Sequence, residues 1–245
     1  SLPLDAVVHL AGENVAGGRW TPARKARIRD SRIEGTQLLA LKLCTLSPRP
    51  KVLISASGVG FYGPQRDAVL DEGSPWGQGF LAEVCRDWEA AADPARDAGI
   101  RVVHPRIGMV LSPDGGALGK MLPPFRMGLG GVVGSGQQVY SWISLHDIVR
   151  ALMALIEQDG IQGPVNLTAP NPVTNREFTK ALGKALHRPT VFPLPAMVAR
   201  SLLGREMADS LLLTGQRALP TVLTKAGFTF DHPSLDDALT SMHLR

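Results

Sequence analysis

Asp5-Ala-Val-Val-His-Leu-Ala-Gly12 is a short apolar run that stops at a glycine, the pattern of a parallel strand covered on both faces. Thr21-Pro22 then supplies an N-cap and a first-turn proline. Apolar positions Ile28, Ile33, Leu38, Leu39, Leu41 and Leu43 predict a long helix that ends near Ser47-Pro48. A second buried strand is expected over Lys51–Ser55, a helix over residues 80 to 98, and a third strand over Ile100–His104. This βαβαβ alternation specifies a parallel sheet with right-handed helical crossovers.

Beyond the third strand the chain turns glycine-rich, from Gly115 to Gly136, around a short helical stretch at Leu118–Arg126. Leu145–Gln158 reads as a helix and Pro164–Thr168 as another strand. Thr174-Asn-Arg-Glu177 is a capping box opening a helix to His187, and Ser234-Leu-Asp-Asp237 marks the start of a final helix. The literal GxGxxG match, Gly58-Val-Gly60-Phe-Tyr-Gly63, follows a strand but opens no helix. Pro64, Gln65, Arg66 and Asp67 continue without helical periodicity. It is read as a loop, not as a dinucleotide phosphate cradle.

Composition narrows the function classes. At 245 residues and 44% hydrophobic, the chain is long and apolar enough for one or two packed domains. The longest apolar stretches, such as Ala151–Ile156, fall far short of the ~20 residues of a membrane span. A balance of 26 Lys+Arg against 22 Asp+Glu gives +4, too mild an excess to imply nucleic acid without clustering. Cys44 and Cys85 fit a reducing compartment, the cytoplasm, better than a stapled secreted fold. No His/Cys/Asp/Glu spacing suggests a metal.

Several stretches together resemble the extended short-chain dehydrogenase/reductases: Asp5–Gly12, Ser31-Arg-Ile-Glu-Gly-Thr36 and Ile54-Ser-Ala-Ser-Gly-Val-Gly-Phe-Tyr-Gly63. Asp71-Glu-Gly-Ser-Pro75, Arg106–Leu111, Gly115–Gly131 and Ser141-Trp-Ile-Ser-Leu-His-Asp147 narrow the likeness to an atypical, epimerase-like NAD(P)-dependent subfamily. Phe192–Leu239, with Leu194-Pro195, Gly215-Gln-Arg217 and Ala226-Gly-Phe228, resembles that subfamily's C-terminal domain of unknown function. The resemblance implies a doubly wound, Rossmann-like parallel sheet plus a smaller α+β C-terminal lobe. The nucleotide-binding part is expected over residues 1–110 and about 140–168, and the substrate lobe over 111–139 and 169–245. It also implies NADP or NAD as cofactor and a small substrate, nucleotide-linked or otherwise, in a cleft between the lobes at the carboxyl ends of the strands.

Two departures bear on that expectation. The family begins with a strand, glycine loop and helix that hold the pyrophosphate, and this sequence starts just after them, at Ser1 rather than Met. A truncated chain is expected. The family's chemistry also uses a Tyr-x-x-x-Lys pair with a Ser. Here the corresponding helix reads Phe80-Leu-Ala-Glu-Val-Cys-Arg-Asp-Trp-Glu89, so Phe80 or Leu81 replaces the Tyr and Val84 or Cys85 the Lys. The Ser position falls on Gly58, with Ser57 one residue off.

By resemblance and by position at a carboxyl strand end, Leu10, Ala11 and Gly12 border the cofactor, with Arg32 as its cationic contact and Val110 near the nicotinamide. The Arg24-Lys-Ala-Arg-Ile-Arg29 run is read as a solvated helix face. At the mouth of the site, Tyr62 is the candidate acid/base and Ser57 the candidate substrate donor. Lys120 and Arg126 are candidates for an anionic substrate. Glu72 is read as a loop carboxylate accepting backbone amides, Cys85 and His104 as core, and Trp142 and Asp147 as structural, with Asp147 complementing a helix dipole. The reading is thus an NAD(P)-dependent oxidoreductase or epimerase-like enzyme, against a cofactor-binding regulatory or scaffold protein that has lost the chemistry.

Overall fold

The computed structural model of the chain describes residues 4–65 and 68–244. Ser1 and the Arg66-Asp67 part of the glycine-rich loop lie outside them. Strand β1 (Ala6–His9) runs parallel to β2 (Val52–Ser55), and β2 runs parallel to β5 (Arg101–Ile107). The short β3 (Ser57–Gly58) carries on from β2 and pairs with Arg106-Ile107, while β9 (Gly163–Leu167) takes the opposite side of β5. Every pairing in this sheet is parallel, as the βαβαβ pattern requires.

Both faces of the sheet are covered. On one, Leu53 and Val102 pack against Ala40 and Leu43 of α1 (Pro22–Cys44) and Ala95 of α3 (Asp93–Asp97). On the other, Val52, Ile54, Val103 and Val165 meet Ile148, Ala151 and Leu155 of α5 (Leu145–Glu157), with Leu223 of α9 (Thr221–Lys225). This two-sided burial is why the strands read as apolar runs rather than alternating ones.

Local signals set the boundaries. Thr21 Oγ1 accepts the Arg24 amide at 3.2 Å and Pro22 occupies the first turn of α1, which stops at Cys44, ahead of the proline that the sequence pointed to. The helix expected over residues 80 to 98 is two pieces, α2 (Phe80–Ala90) and α3. Pro94 has no amide to continue the first helix and instead begins the second. Gly58–Gly63 forms a 3₁₀ turn at Val59–Tyr62, consistent with the loop reading.

A second core lies beside the sheet. It joins Leu118, Leu122 and Phe125 of α4 (Gly116–Arg126), Phe178 and Leu182 of α6 (Asn175–Leu186), and Leu239 of α10 (Leu235–Ser241) around Trp142. Both expected capping boxes are present, Thr174 with Glu177 and Ser234 with Asp237. The remaining strands are short: β4 (Val69–Leu70) pairs with β11 (Arg217–Ala218), β6 (Met109–Leu111) with β8 (Trp142–Ser144), and β7 (Val139–Tyr140) with β10 (Val173–Thr174). Two small helices, α7 (Ala196–Leu203) and α8 (Arg205–Ala208), run into a π-helical turn at Asp209–Leu213.

Asp147 does more than complement a dipole. It is fully buried, and its carboxylate accepts the backbone amides of Asp231 and His232, both at 2.9 Å, and the Arg150 guanidinium at 3.1 Å. His146 reaches Asp231 at 2.7 Å beside it. Although His146, Asp147 and Asp231 bring potential ligand atoms within 4.8 Å of one another, their oxygens are spent on a clamp that fastens the C-terminal segment to α5. Asp147→Ala should therefore lower the unfolding free energy by about 1–3 kcal/mol, since it leaves two amides without their acceptor while Arg150 keeps Asp231 and the Thr229 carbonyl; urea unfolding measures it.

Candidate functional site

The carboxyl ends of the strands are held by one buried cation. Arg106 of β5 sends Nε and Nη2 to the two carboxylate oxygens of Glu89 on α2, each at 2.9 Å, in a bidentate pair. Its Nη1 donates to the Tyr62 hydroxyl at 3.1 Å, and the guanidinium lies 3.4 Å from the centre of the Phe61 ring. Burial opposes the Arg106 charge, but the bonds to Glu89 and Tyr62 outweigh it and hold the guanidinium above its ordinary pKa.

The two residues expected to do chemistry belong to this network. Ser57 Oγ donates to Glu89 at 2.7 Å and Ser57 is buried. Tyr62 is fully buried and donates its hydroxyl to Asn166 Oδ1 at 2.7 Å, and burial raises its pKa further above the phenol range. Neither side chain lines the cleft described below. The structure therefore places Tyr62 and Ser57 as ties between α2, β5 and β9 rather than at the mouth. Glu72 accepts the amides of Asn166 and Val222 at 3.0 and 3.1 Å, a loop carboxylate on backbone donors as expected.

On α2 the face turned to the strand ends is apolar. A Cβ on Gly60 would lie 3.3 Å from Leu81 Cβ, and one on Gly58 3.8 Å from Cys85 Sγ. The frame that starts at Leu81 is thus the one presented to the site, with leucine and cysteine where the family pair has tyrosine and lysine. Burial pushes the Cys85 thiol up to about 11, so it is neither nucleophile nor base at neutral pH.

At the end of β1, Leu10, Ala11 and Gly12 form an exposed shelf, with Leu10 51% exposed. Arg32 of α1 comes against it: a Cβ on residue 12 would sit 2.9 Å from the guanidinium carbon. A side chain at residue 12 would push the guanidinium away from the shelf. Arg32 Nη1 donates to the carbonyls of Glu13 and Ile28 at 2.9 and 3.0 Å, and the side chain lies over Trp88. Its Nε and Nη2 have no protein partner among the described residues. The structure brings these four sequence candidates together.

A cleft of about 670 Å³, lined from Asn14 onward and not by the shelf residues themselves, faces the C-terminal segment. Its walls are the loop Asn14–Ala16, the first turn of α2, Ile107–Met109, and α4 through Ala117, Lys120 and Met121. A segment from Leu203 to Gln216 covers it. Lys120 lines this cleft and donates to the Ala16 carbonyl at 2.9 Å. Two other candidates do not reach it. Arg126 turns to the Leu244 carbonyl at 3.3 Å. Val110 packs into the core under α5, while its strand neighbour Met109 lines the cleft, the consequence of a side-chain period of two.

Sequence reasoning missed the cover, the cation that pairs with it and a second paired cation in the same run. Lys25 pairs with Glu206 at 2.7 Å and stands 4.6 Å over the Phe80 ring, and Arg24 pairs with Glu13 at 2.8 Å. Both lie in the run taken as solvated surface. Arg19 donates to the Leu202 carbonyl at 3.0 Å and to that of Ser201. The Glu89–Arg106 pair had left a signal, a charge inside the apolar strand Val102–Ile107.

A parallel sheet with a crevice at its carboxyl edge and an arginine on the strand-end shelf defines a Rossmann-like nucleotide-binding protein. The profile of the NAD dependent epimerase/dehydratase family matches residues 1–167, and that of a domain of unknown function, DUF1731, residues 194–242. The chain belongs to the NAD-dependent epimerase/dehydratase family. It is 51% identical over 236 residues to an epimerase family protein of Mycobacterium tuberculosis, spanning 96% of this chain and 77% of that protein. It is 40% identical over 238 residues to human SDR39U1, 96% of this chain and 80% of that one. The crystal structure of human SDR39U1 (isoform 2) with NADPH superposes with a TM-score of 0.94 at 39% identity, over 99% of this chain and 83% of that chain. A Thermotoga maritima UDP-glucose 4-epimerase with UDP-glucose shares the fold, with a TM-score of 0.76 at 19% identity.

Two tests address the floor of the site. Tyr62→Phe removes one bond to Asn166 and one from Arg106, and should cost about 1–3 kcal/mol of stability in urea unfolding; an unchanged midpoint would contradict the structural role. His104 on β5 is buried with Nδ1 unpartnered, and desolvation lowers its pKa from the usual 6.5. The unfolded chain then binds the proton more readily, so this contribution to stability is present above pH ~6.5 and is lost as the pH falls below it. The stability difference between wild type and His104→Gln should narrow between about pH 7.5 and pH 5.5.

Proposed function

We propose that this protein is an NADP(H)-binding oxidoreductase of the epimerase-like type, in which the chain binds and orients while contributing no side-chain acid or base. The observation that carries the reading is the Arg32 guanidinium against Gly12, with two unpartnered donors at a carboxyl strand edge. Desolvation lowers the Arg32 pKa from its ordinary value, yet it stays charged at neutral pH. Leu10, Ala11, Gly12 and Arg32 would hold the cofactor, which supplies the hydride when bound. Residues 1–110 with about 140–168 form the nucleotide-binding part, and 111–139 with 169–245 the ligand lobe. The two free thiols, Cys44 half-buried and Cys85 buried, suit a reducing compartment, which we take to be the cytoplasm.

The apolar Leu81 and Cys85 face favours a second reading, cofactor binding without turnover. A lone hydride transfer to a carbonyl leaves an alkoxide to be protonated, and here water or the ligand itself must supply that proton. Arg32→Ala should weaken NADPH binding by about 1.5–3 kcal/mol, roughly 10- to 150-fold, in a fluorescence titration, with Arg32→Lys in between. Unchanged affinity would remove Arg32 from the site. Stopped-flow NADPH oxidation over a panel of ketones and nucleotide sugars separates the readings; silence across the panel, with NADPH bound, leaves the non-catalytic one.

A further inference from the structure

Among the described residues, the cleft lining carries one formal charge. It includes Lys120 but no Asp, Glu, Arg or His, and Lys120 has no carboxylate within 4.0 Å among the described residues. One of its three donors goes to the Ala16 carbonyl, which leaves two for a ligand. The lining is otherwise dominated by apolar side chains, among them Phe80, Leu81, Met109, Met121, Met207 and Leu211.

Among the described residues, Gln78, Ser210 and the Asn14 Nδ2 are the lining side-chain groups left without a protein partner, and the other polar side chains are engaged. Tyr140 receives the Asn175 amide at 3.2 Å, and Ser141 Oγ donates to the Gln216 carbonyl at 2.8 Å and accepts the Ala218 amide at 2.9 Å. Thr214 Oγ1 donates to the Asp209 carbonyl at 2.8 Å, and Gln216 Nε2 to that of Gly63 at 2.9 Å. A nucleoside diphosphate sugar brings two phosphate charges and a run of hydroxyls. One lysine and the free groups of Asn14, Gln78 and Ser210 supply a single positive charge against two phosphates, so burying them here would leave negative charge unpaired at the cost of desolvation.

We infer that the ligand of this cleft is an amphipathic monoanion: an apolar, ring-sized body bearing a single acidic group that meets Lys120, rather than a nucleotide sugar. As a statement about substrate, the inference rests on the cofactor reading above; as a statement about binding, it is tested without cofactor. A body of this kind fits a cleft of about 670 Å³, within the range of small-molecule sites. Methionine thioethers suit an apolar ligand of irregular outline.

The test is a fluorescence titration with 8-anilinonaphthalene-1-sulfonate, an aromatic body with one sulfonate, beside N-phenyl-1-naphthylamine, the same body uncharged. Lys120→Gln should weaken the sulfonate dye about 5- to 20-fold and leave the neutral one unchanged, and Lys120→Arg should retain most of the affinity. Ala117→Trp, which fills the cleft from α4, should abolish binding of both dyes, and millimolar UDP-glucose should displace neither. The inference is overturned if Lys120→Gln leaves the sulfonate dye unaffected, if Ala117→Trp spares binding, or if UDP-glucose competes. NADPH affinity, titrated separately on the same proteins, is expected to survive Lys120→Gln. A wild type that fails to bind NADPH defeats the cofactor reading alone, whatever the dyes do.

Discussion

The site depends on a guanidinium buried between a strand and a helix. Arg106 ties β5 to α2 through Glu89, stacks on Phe61, and reaches β9 through Tyr62 and Asn166. A buried ion pair is no guarantee of net stability, because two desolvated charges cost what their attraction returns. Its effect here is positional. Each partner left alone would be an uncompensated charge in the interior, so α2 has a single favourable seat on the strand ends. Leu81 and Cys85 are aimed at Gly60 and Gly58 by that seat.

The sheet was readable because doubly covered parallel strands carry a signal dense in apolar residues, and Asp5–Gly12, Lys51–Ser55 and Ile100–His104 each carry it. The caps were readable for a local reason: Thr21, Thr174 and Ser234 each accept the amide three residues on. The break at Pro94 was legible in principle, and the apolar content of the surrounding stretch obscured it. Side-chain direction was less accessible. Tyr62 and Ser57 lie in the expected loop, but the 3₁₀ turn points Tyr62, and the short strand β3 points Ser57, into the Arg106–Glu89 network. Val110 and Met109 differ by one strand position and therefore by one face. Nothing local distinguishes Lys25 in a basic run from its neighbours; its partner Glu206 is contributed by a distant segment.

Apolar side chains at the positions of the family's acid/base pair change what the fold can do. A tyrosine and lysine there would offer an acid/base pair, whereas Leu81 offers no titratable group and the Cys85 thiol is raised to about 11. The same change makes the cleft drier. With Phe80, Leu81 and the methionines around it, any charge within the cleft is felt over a longer range than in water, so a single lysine would weigh heavily on the sign of a ligand.

Floor and cover are held by different orders of interaction. The floor combines a bidentate buried ion pair, the Tyr62–Asn166 bond and a sheet packed on both faces, and breaking any one of these exposes charge or apolar surface. The cover, residues 203–216, and the end of α7 that leads into it are tied to a strap at residues 14–25 by Lys25–Glu206 and by Arg19 on the Ser201 and Leu202 carbonyls. Half-exposed ion pairs of that kind contribute about 0–1 kcal/mol each. Gly204, at φ +85°, joins α7 to α8 in a conformation that resists a side chain. Separating cover from strap therefore costs a small part of what dismantling the floor would. A ligand whose single charge meets Lys120, itself bonded to the strap at Ala16, would add its binding energy at the boundary where the protein's own contacts are weakest.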